Sequence, residues 1–206
     1  MKSVKEWTQH WDNKNHITNP VELNGYCIKG KPIPTDDYDK AVVFPTIERL
    51  QVKPNQSVLD IGCGSGLMLD KMEEITTNLF GLEPSGELLK RYKGCAKTYV
   101  GAAHQLPFKK ENFDRVLMFG VAVYFPDFEY FKNVVLNVFS LLKQDGIFLI
   151  GDLNIGTRPT ESQYQWYERE ELLCFFDSTG LRYNLMSQSK LKREINKRWD
   201  IIVYVD

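Results

Sequence analysis

The chain has 206 residues, 43% hydrophobic and 26% charged, the composition of a globular domain with enough chain for a proper core. Its formal net charge of −1 gives no field that would draw nucleic acid or an anionic membrane, and no apolar run nears the length of a membrane span. The start, M-K-S-V-K-E-W, has no apolar targeting core, and Cys27, Cys63, Cys95 and Cys174 form no C-x-x-C pair or zinc spacing, so a cytoplasmic chain with reduced thiols and no bound metal is expected.

Residues 1–40 stand apart from the alternation that follows. They hold Trp7, His10, Trp11, His16, Tyr26 and the turn K-P-I-P-T-D-D-Y. They read either as a cap packed over a sheet edge or as a lid over a ligand that also shapes a second pocket. In the lid reading His10 and His16 are candidate catalytic bases; a lone histidine is otherwise a surface or packing residue. Ala41–Leu50 predicts a helix interrupted at Pro45, and Val52–Gln56 a turn.

The stretch V-L-D-I-G-C-G-S-G, Val58 to Gly66, then reads as strand, glycine turn and helix. An apolar strand runs into Gly62, Gly64 and Gly66, and an amphipathic helix follows to about Ile75. A second strand, Asn78–Leu82, ends at Glu83, and Pro84 and Ser85 follow, with Ser85 as N-cap of a helix Gly86–Lys93. The third strand is Lys97–Val100. The fourth, Phe113–Phe119, is a nearly continuous apolar run of the kind buried on both faces. Pro126 and Asp127 open a long helix whose residues Phe128, Phe131, Val135, Val138 and Leu142 repeat at helical spacing and read as core. Gln144–Gly146 is a turn, Ile147–Leu153 the fifth strand and Asn154–Gln165 a polar loop. A helix Trp166–Ser178 stops at Gly180. Leu181–Ser187 and Trp199–Val205 are the sixth and seventh strands. The basic cluster Lys190–Arg198 reads as a solvated turn between them.

The glycine loop says something about its ligand. A dinucleotide loop wants G-x-G-x-x-G with a pyrophosphate on the helix N-terminus. Here Leu67 occupies the place of the third glycine, and Asp60 at the strand end disfavours a pyrophosphate and suits a cation. Glu83 lies at the spacing of an acid that accepts from ribose hydroxyls at the end of a second strand.

Three segments in order, D-I-G-C-G-S-G, G-L-E-P-S and G-A-A-H-Q-L-P-F followed by F-D, resemble the motifs of class I S-adenosylmethionine (SAM) dependent methyltransferases, from about Val42 to Asp206. The resemblance implies an α/β, Rossmann-like seven-stranded sheet in the order 3-2-1-4-5-7-6, with strand seven antiparallel and helices on both faces. Residues 41–206 are then the SAM-binding domain and 1–40 the cap or lid. It also implies SAM as cofactor and S-adenosylhomocysteine as product. Backbone at Gly62, Cys63, Gly64 and Gly66 would meet the methionine end, and Asp60 would offset the cationic cofactor. Glu83, with Pro84 and Ser85, would take the ribose. Ala103 and His104 would line the adenine, Gly120 would offer backbone to the amino group, and Tyr124 would reach the methyl or the acceptor. The sequence departs from the family at Ala102, where an acid commonly accepts from the adenine amino group; the side chain of His104 or Gln105 is the replacement on offer.

Several signatures are missing: N-P-P-Y after strand four, any Pro-Cys dipeptide, and paired glutamates after strand four; the metal-binding acids of catechol methyltransferases are half met, by Asp152 and Asn154. The expected activity is methyl transfer to an oxygen or nitrogen of a small molecule such as a metabolite, sugar or lipid precursor. It would rest on proximity and orientation, with or without a base. The chain would be a monomer or homodimer with no nucleic-acid or membrane partner. A non-catalytic SAM-fold binding protein and a macromolecular acceptor stay open. A nicotinamide-dependent oxidoreductase is opposed by the early third glycine and the seven-strand pattern.

Overall fold

The computed structural model describes residues 2–14, 16–28, 30–188 and 198–205. The basic cluster at 190–198 therefore lies outside the described residues except for Arg198. Seven strands form the main sheet: β1 (Val58–Ile61), β2 (Leu79–Glu83), β3 (Lys97–Val100), β4 (Phe113–Phe119), β5 (Leu142–Asn154), β6 (Arg182–Ser187) and β7 (Arg198–Tyr204). Their order is β3-β2-β1-β4-β5-β7-β6, with β7 antiparallel to both neighbours and the other pairs parallel. This is the order that the motif resemblance implied. A two-residue hairpin, Cys27–Ile28 with Lys31–Pro32, stands apart from it.

Side-chain alternation sorts the core into two layers. Leu59, Ile61, Val116, Met118, Phe148, Ile150, Ile201 and Val203 face α7 (Phe128–Leu141) and α8 (Arg169–Thr179). Val58, Leu117, Phe119, Ile147, Leu149 and Ile202 face the opposite layer. That layer is made by α3 (Thr35–Tyr38), a π-helical turn at Asp39–Val43, α4 (Phe44–Leu50) and α5 (Leu67–Met72). Strands with apolar residues on both faces must be central, and β1 is buried at all four positions. Strand β3, at the edge of the sheet, is exposed at all four, with Val100 at 68%. Among the described residues no helix is long and apolar enough to cross a membrane.

Where elements differ from expectation, a tertiary contact accounts for it. The helix around Pro45 is not interrupted: the π turn precedes α4, and Pro45 sits in its first turn, where no intrahelical N–H donor is needed. Residue 40 thus falls inside a continuous helical stretch. The Gln144–Gly146 segment is a bulge within β5. Phe113 pairs with Leu142 and Arg115 with Ile147, so the residues between are extruded, with Asp145 at φ +60°. Helix α6 (Gly86–Leu89) stops short of Lys93, and downstream of it the Tyr92 ring packs on Gly66. Helix α8 starts three residues late because Tyr167 bridges to Ile155 and donates its hydroxyl to Ala122 O at 2.7 Å.

One buried acid anchors the end of β5. Asp200, fully buried on β7, accepts from the Asp152 N–H at 3.0 Å, Gln188 Nε2 at 2.5 Å and Arg49 Nη1 at 2.6 Å. Asp152 is held there at φ +66°, beside the Tyr26 and Gly120 region. Removing the acceptor strands buried donors, and Asp200→Ala is expected to lower stability by about 3 kcal/mol, read by denaturant unfolding.

Candidate active site

The glycine loop is shaped by what sits where its side chains would be. Gly62 (φ +74°) has Val121 Cγ2 2.2 Å from the position of a Cβ, and Gly64 (φ +58°) has Asn24 Oδ1 at 1.9 Å. Neither position admits a larger residue without strain and displacement. The loop hangs from β2: the N–H groups of Gly62 and Cys63 both donate to Leu82 O, at 2.6 and 3.2 Å. Glu83, at the end of β2, accepts from Gly64 N at 3.1 Å and from Ser85 N at 2.9 Å. Ser85 caps α6 by accepting from Leu88 N at 3.1 Å.

The N-terminal segment covers these turns. Helix α1 (Val4–Asp12) begins with a Ser3–Glu6 capping box and ends where Asp12 accepts from the Ser85 hydroxyl at 2.6 Å. Asn24, which ends α2 (Pro20–Leu23), accepts from Ser65 N at 3.1 Å and donates to Ser65 Oγ at 2.6 Å. Tyr26 places its hydroxyl 2.3 Å from where a Cβ on Gly120 would be. Residues 1–40 therefore reach the carboxyl ends of β1, β2 and β4 together.

A cleft of about 1000 Å³, counted to its open mouth, lies between them. Asp60, Gly62, Cys63, Gly64, Glu83, Pro84, Ala103, Gly120 and Tyr124 line it, as do Gly101 and Ala102. Of the other residues singled out from sequence, Gly66 is the N-cap of α5 under the Tyr92 ring, and Ser85 is fully buried in its capping role. His104 does not line the cleft; it is exposed, with Nδ1 2.7 Å from the Tyr130 hydroxyl. His10 packs edge-on against Trp7 and Trp11, His16 is exposed, and neither lines the cleft. Beside Ala102 the lining side chain is Tyr130 from α7, not His104 or Gln105. Sequence reasoning missed Asn24, Tyr38 and Tyr130; the density of Trp and Tyr before residue 40 was the one signal for Tyr38, and nothing local marks the other two.

The electrostatics are one-sided. Among the described residues that line the cleft, Asp60 and Glu83 are the acids and no lysine, arginine or histidine is present. Burial, with the Glu83 charge adding to it, pushes Asp60 up to about 8. Burial pushes Glu83 up to about 7, against the lowering by its two N–H donors at Ser85 and Gly64. Burial also holds the hydroxyls of Tyr26, Tyr38 and Tyr124 protonated. Among the described residues no group of three or more His, Cys, Asp or Glu is placed to hold a metal ion.

A glycine loop between two buried acids, at the point where strand order reverses from β1 to β4, defines the class I SAM-dependent methyltransferase fold. SAM is the cofactor of this class, and the residues present fit it: bare backbone at Gly62 and Gly64, two acids for a cationic ligand with ribose hydroxyls, and no opposing cation. Comparison with known proteins agrees. Residues 59–150 match the methyltransferase domain family. An uncharacterised methyltransferase of Synechocystis sp. is 33% identical over 111 residues, 52% of this chain and 52% of its own. A chain from the complex between the Haloferax volcanii Trm112 methyltransferase activator and a methyltransferase superposes with a TM-score of 0.74 at 16% identity, covering 95% of this chain and 97% of that one. Phosphoethanolamine N-methyltransferase 1 of Haemonchus contortus, solved with phosphoethanolamine and S-adenosylhomocysteine, superposes with a TM-score of 0.74 at 14% identity, covering 98% of this chain and 48% of that one. These two likenesses are of fold. The chain spans about half the length of the curated relatives it matches, 43% of one and 52% of another.

The raised acids give a pH signature. Both are protonated in the folded chain at pH values where the unfolded chain, at 3.8 for Asp60 and 4.5 for Glu83, has lost its protons. Their contribution to stability is full below about pH 4 and is lost as pH rises through about 8. Denaturant unfolding of the ligand-free chain from pH 5 to 8 should therefore show stability falling with pH, and Asp60→Asn should flatten the fall.

Proposed function

We propose that the chain transfers a methyl group from SAM to an oxygen or nitrogen of a small molecule. The observation that carries this reading is the pairing of two buried acids with a glycine-loop backbone in a cleft whose described lining residues include no cation. SAM supplies an electrophilic methyl on a sulfonium. The chain's own residues bind and orient. The N–H groups around Gly62, Cys63 and Gly64 address the methionine end, and Asp60 balances its positive charge. Glu83 turns a carboxylate toward the ribose hydroxyls. Pro84 and Ser85 fix the turn that presents it, Ala103 faces the adenine edge, and Gly120 offers its carbonyl to the ammonium. Tyr124 bounds the place where an acceptor meets the methyl.

A small acceptor is supported by the way residues 1–40 roof the cleft through Asp12–Ser85 and Asn24–Ser65, in keeping with a lid. Neither His10 nor His16 lines the cleft, so proximity and orientation carry the rate in this reading.

Calorimetric titration tests it. S-adenosylhomocysteine should bind in the micromolar range, and Glu83→Gln should weaken binding by about tenfold or more, since a buried acceptor is lost. SAM binding at pH 7 should release about one proton, read from the dependence of heat on buffer ionisation enthalpy, because a cationic ligand drives the raised acids to ionise. Absence of heat with either ligand would leave a non-catalytic protein; binding of NADH alone would return the site to dinucleotide chemistry.

A further inference from the structure

We propose that the acceptor is an amine, methylated on nitrogen, and that it is held in the aromatic chamber between α1 and the end of β4. The inference rests on the methyltransferase reading and narrows it to one substrate class.

The chamber is the part of the cleft lined by Trp7, Trp11, Tyr26, Tyr38, Phe119 and Tyr124. Trp7 and Trp11 meet Tyr124 edge-on, with centroids 4.7 and 5.5 Å away, and Tyr26 lies 4.7 Å from Tyr38. Tyr26 and Tyr124 flank Gly120 and Val121, which join the chamber to the end that holds Asp60 and Glu83. Two physical features select the acceptor.

The first is charge. The described lining residues include two acids and no base, so the cleft offers an acceptor's phosphate or carboxylate no lining cation to pair with. Aromatic faces attract cations. Two of these rings already do so: the Lys2 and Lys14 ammonium groups sit 4.5 and 4.0 Å from the Trp7 and Trp11 centroids. Those lysines each take one face of a ring whose residue also lines the chamber.

The second is proton accounting. An alcohol or phenol must lose its proton as the new C–O bond forms. The chamber hydroxyls are held protonated by burial, His10, His16 and Asp152 do not line the cleft, and the His104 ring is engaged with Tyr130. The two lining acids stand at the glycine-loop end, where Glu83 is tied to the Gly64 and Ser85 N–H groups. A neutral amine needs no base for the transfer. Its lone pair forms the C–N bond while the C–S bond breaks, and the positive charge passes from sulfur to nitrogen. A primary or secondary amine then sheds its proton to water; a tertiary amine keeps the charge as a quaternary ammonium. In each case the chamber receives a cation, which its rings favour.

The test uses the full chain saturated with S-adenosylhomocysteine, titrated with choline and with its uncharged carbon isostere 3,3-dimethylbutan-1-ol. Choline should bind about tenfold or more tightly than the isostere, Tyr124→Leu should remove most of that preference, and Tyr124→Phe, which keeps the ring, should retain it. S-adenosylhomocysteine titration of each variant reports whether the cofactor end is intact. Equal affinity for the two probes, or no choline binding to the complex, would overturn the inference. So would transfer of labelled methyl from SAM to phenols or alcohols but to none of a panel of primary to tertiary amines. Failure of the wild-type chain to bind S-adenosylhomocysteine would instead remove the methyltransferase reading on which it rests.

Discussion

Glu83 closes β2 with one carboxylate oxygen on the Gly64 N–H and the other on the Ser85 N–H, so one buried acid holds the glycine loop against the turn into α6. Neighbouring features follow from that link. The loop backbone stays open to the cleft because Glu83 satisfies a donor that would otherwise fold inward, and Ser85 is positioned to cap α6 and to meet Asp12 of the N-terminal helix. The same acid sits in a cleft with Asp60, and each is disfavoured in its charged form by burial. The ligand-free fold thus holds an electrostatic imbalance at its centre that a cation relieves.

The central strands were legible because they are short apolar runs buried on both faces, and that pattern does not depend on distant residues. Lys97–Val100 and Phe113–Phe119 match the structure residue for residue. Boundaries slipped where a side chain from elsewhere intervenes, as with Tyr167 ahead of α8 or Tyr92 beyond α6. The Gln144–Gly146 segment carries turn chemistry and does turn, but as a bulge inside a pairing that only the register with β4 defines.

The glycine-loop end of the cleft was equally legible, since its groups are backbone and two acids fixed at strand ends. The aromatic end was not. Tyr26, Tyr38 and Asn24 act through contacts with Gly120, Tyr26 and Ser65, each between segments far apart in the chain, and no local spacing encodes them. The histidines drew attention for their chemistry, yet His10 lies exposed against the edges of Trp7 and Trp11, outside the cleft.

Strand β3 ends the sheet with an open ladder on its outer side among the described residues, and its four side chains are exposed. Only Lys97 carries charge to deter another strand from pairing there, while Tyr99 and Val100 present apolar surface. A net charge of −1 adds little long-range repulsion between molecules. Colloidal behaviour in concentrated solution therefore depends in part on this border of the sheet, where Lys97 is the one charge along the strand.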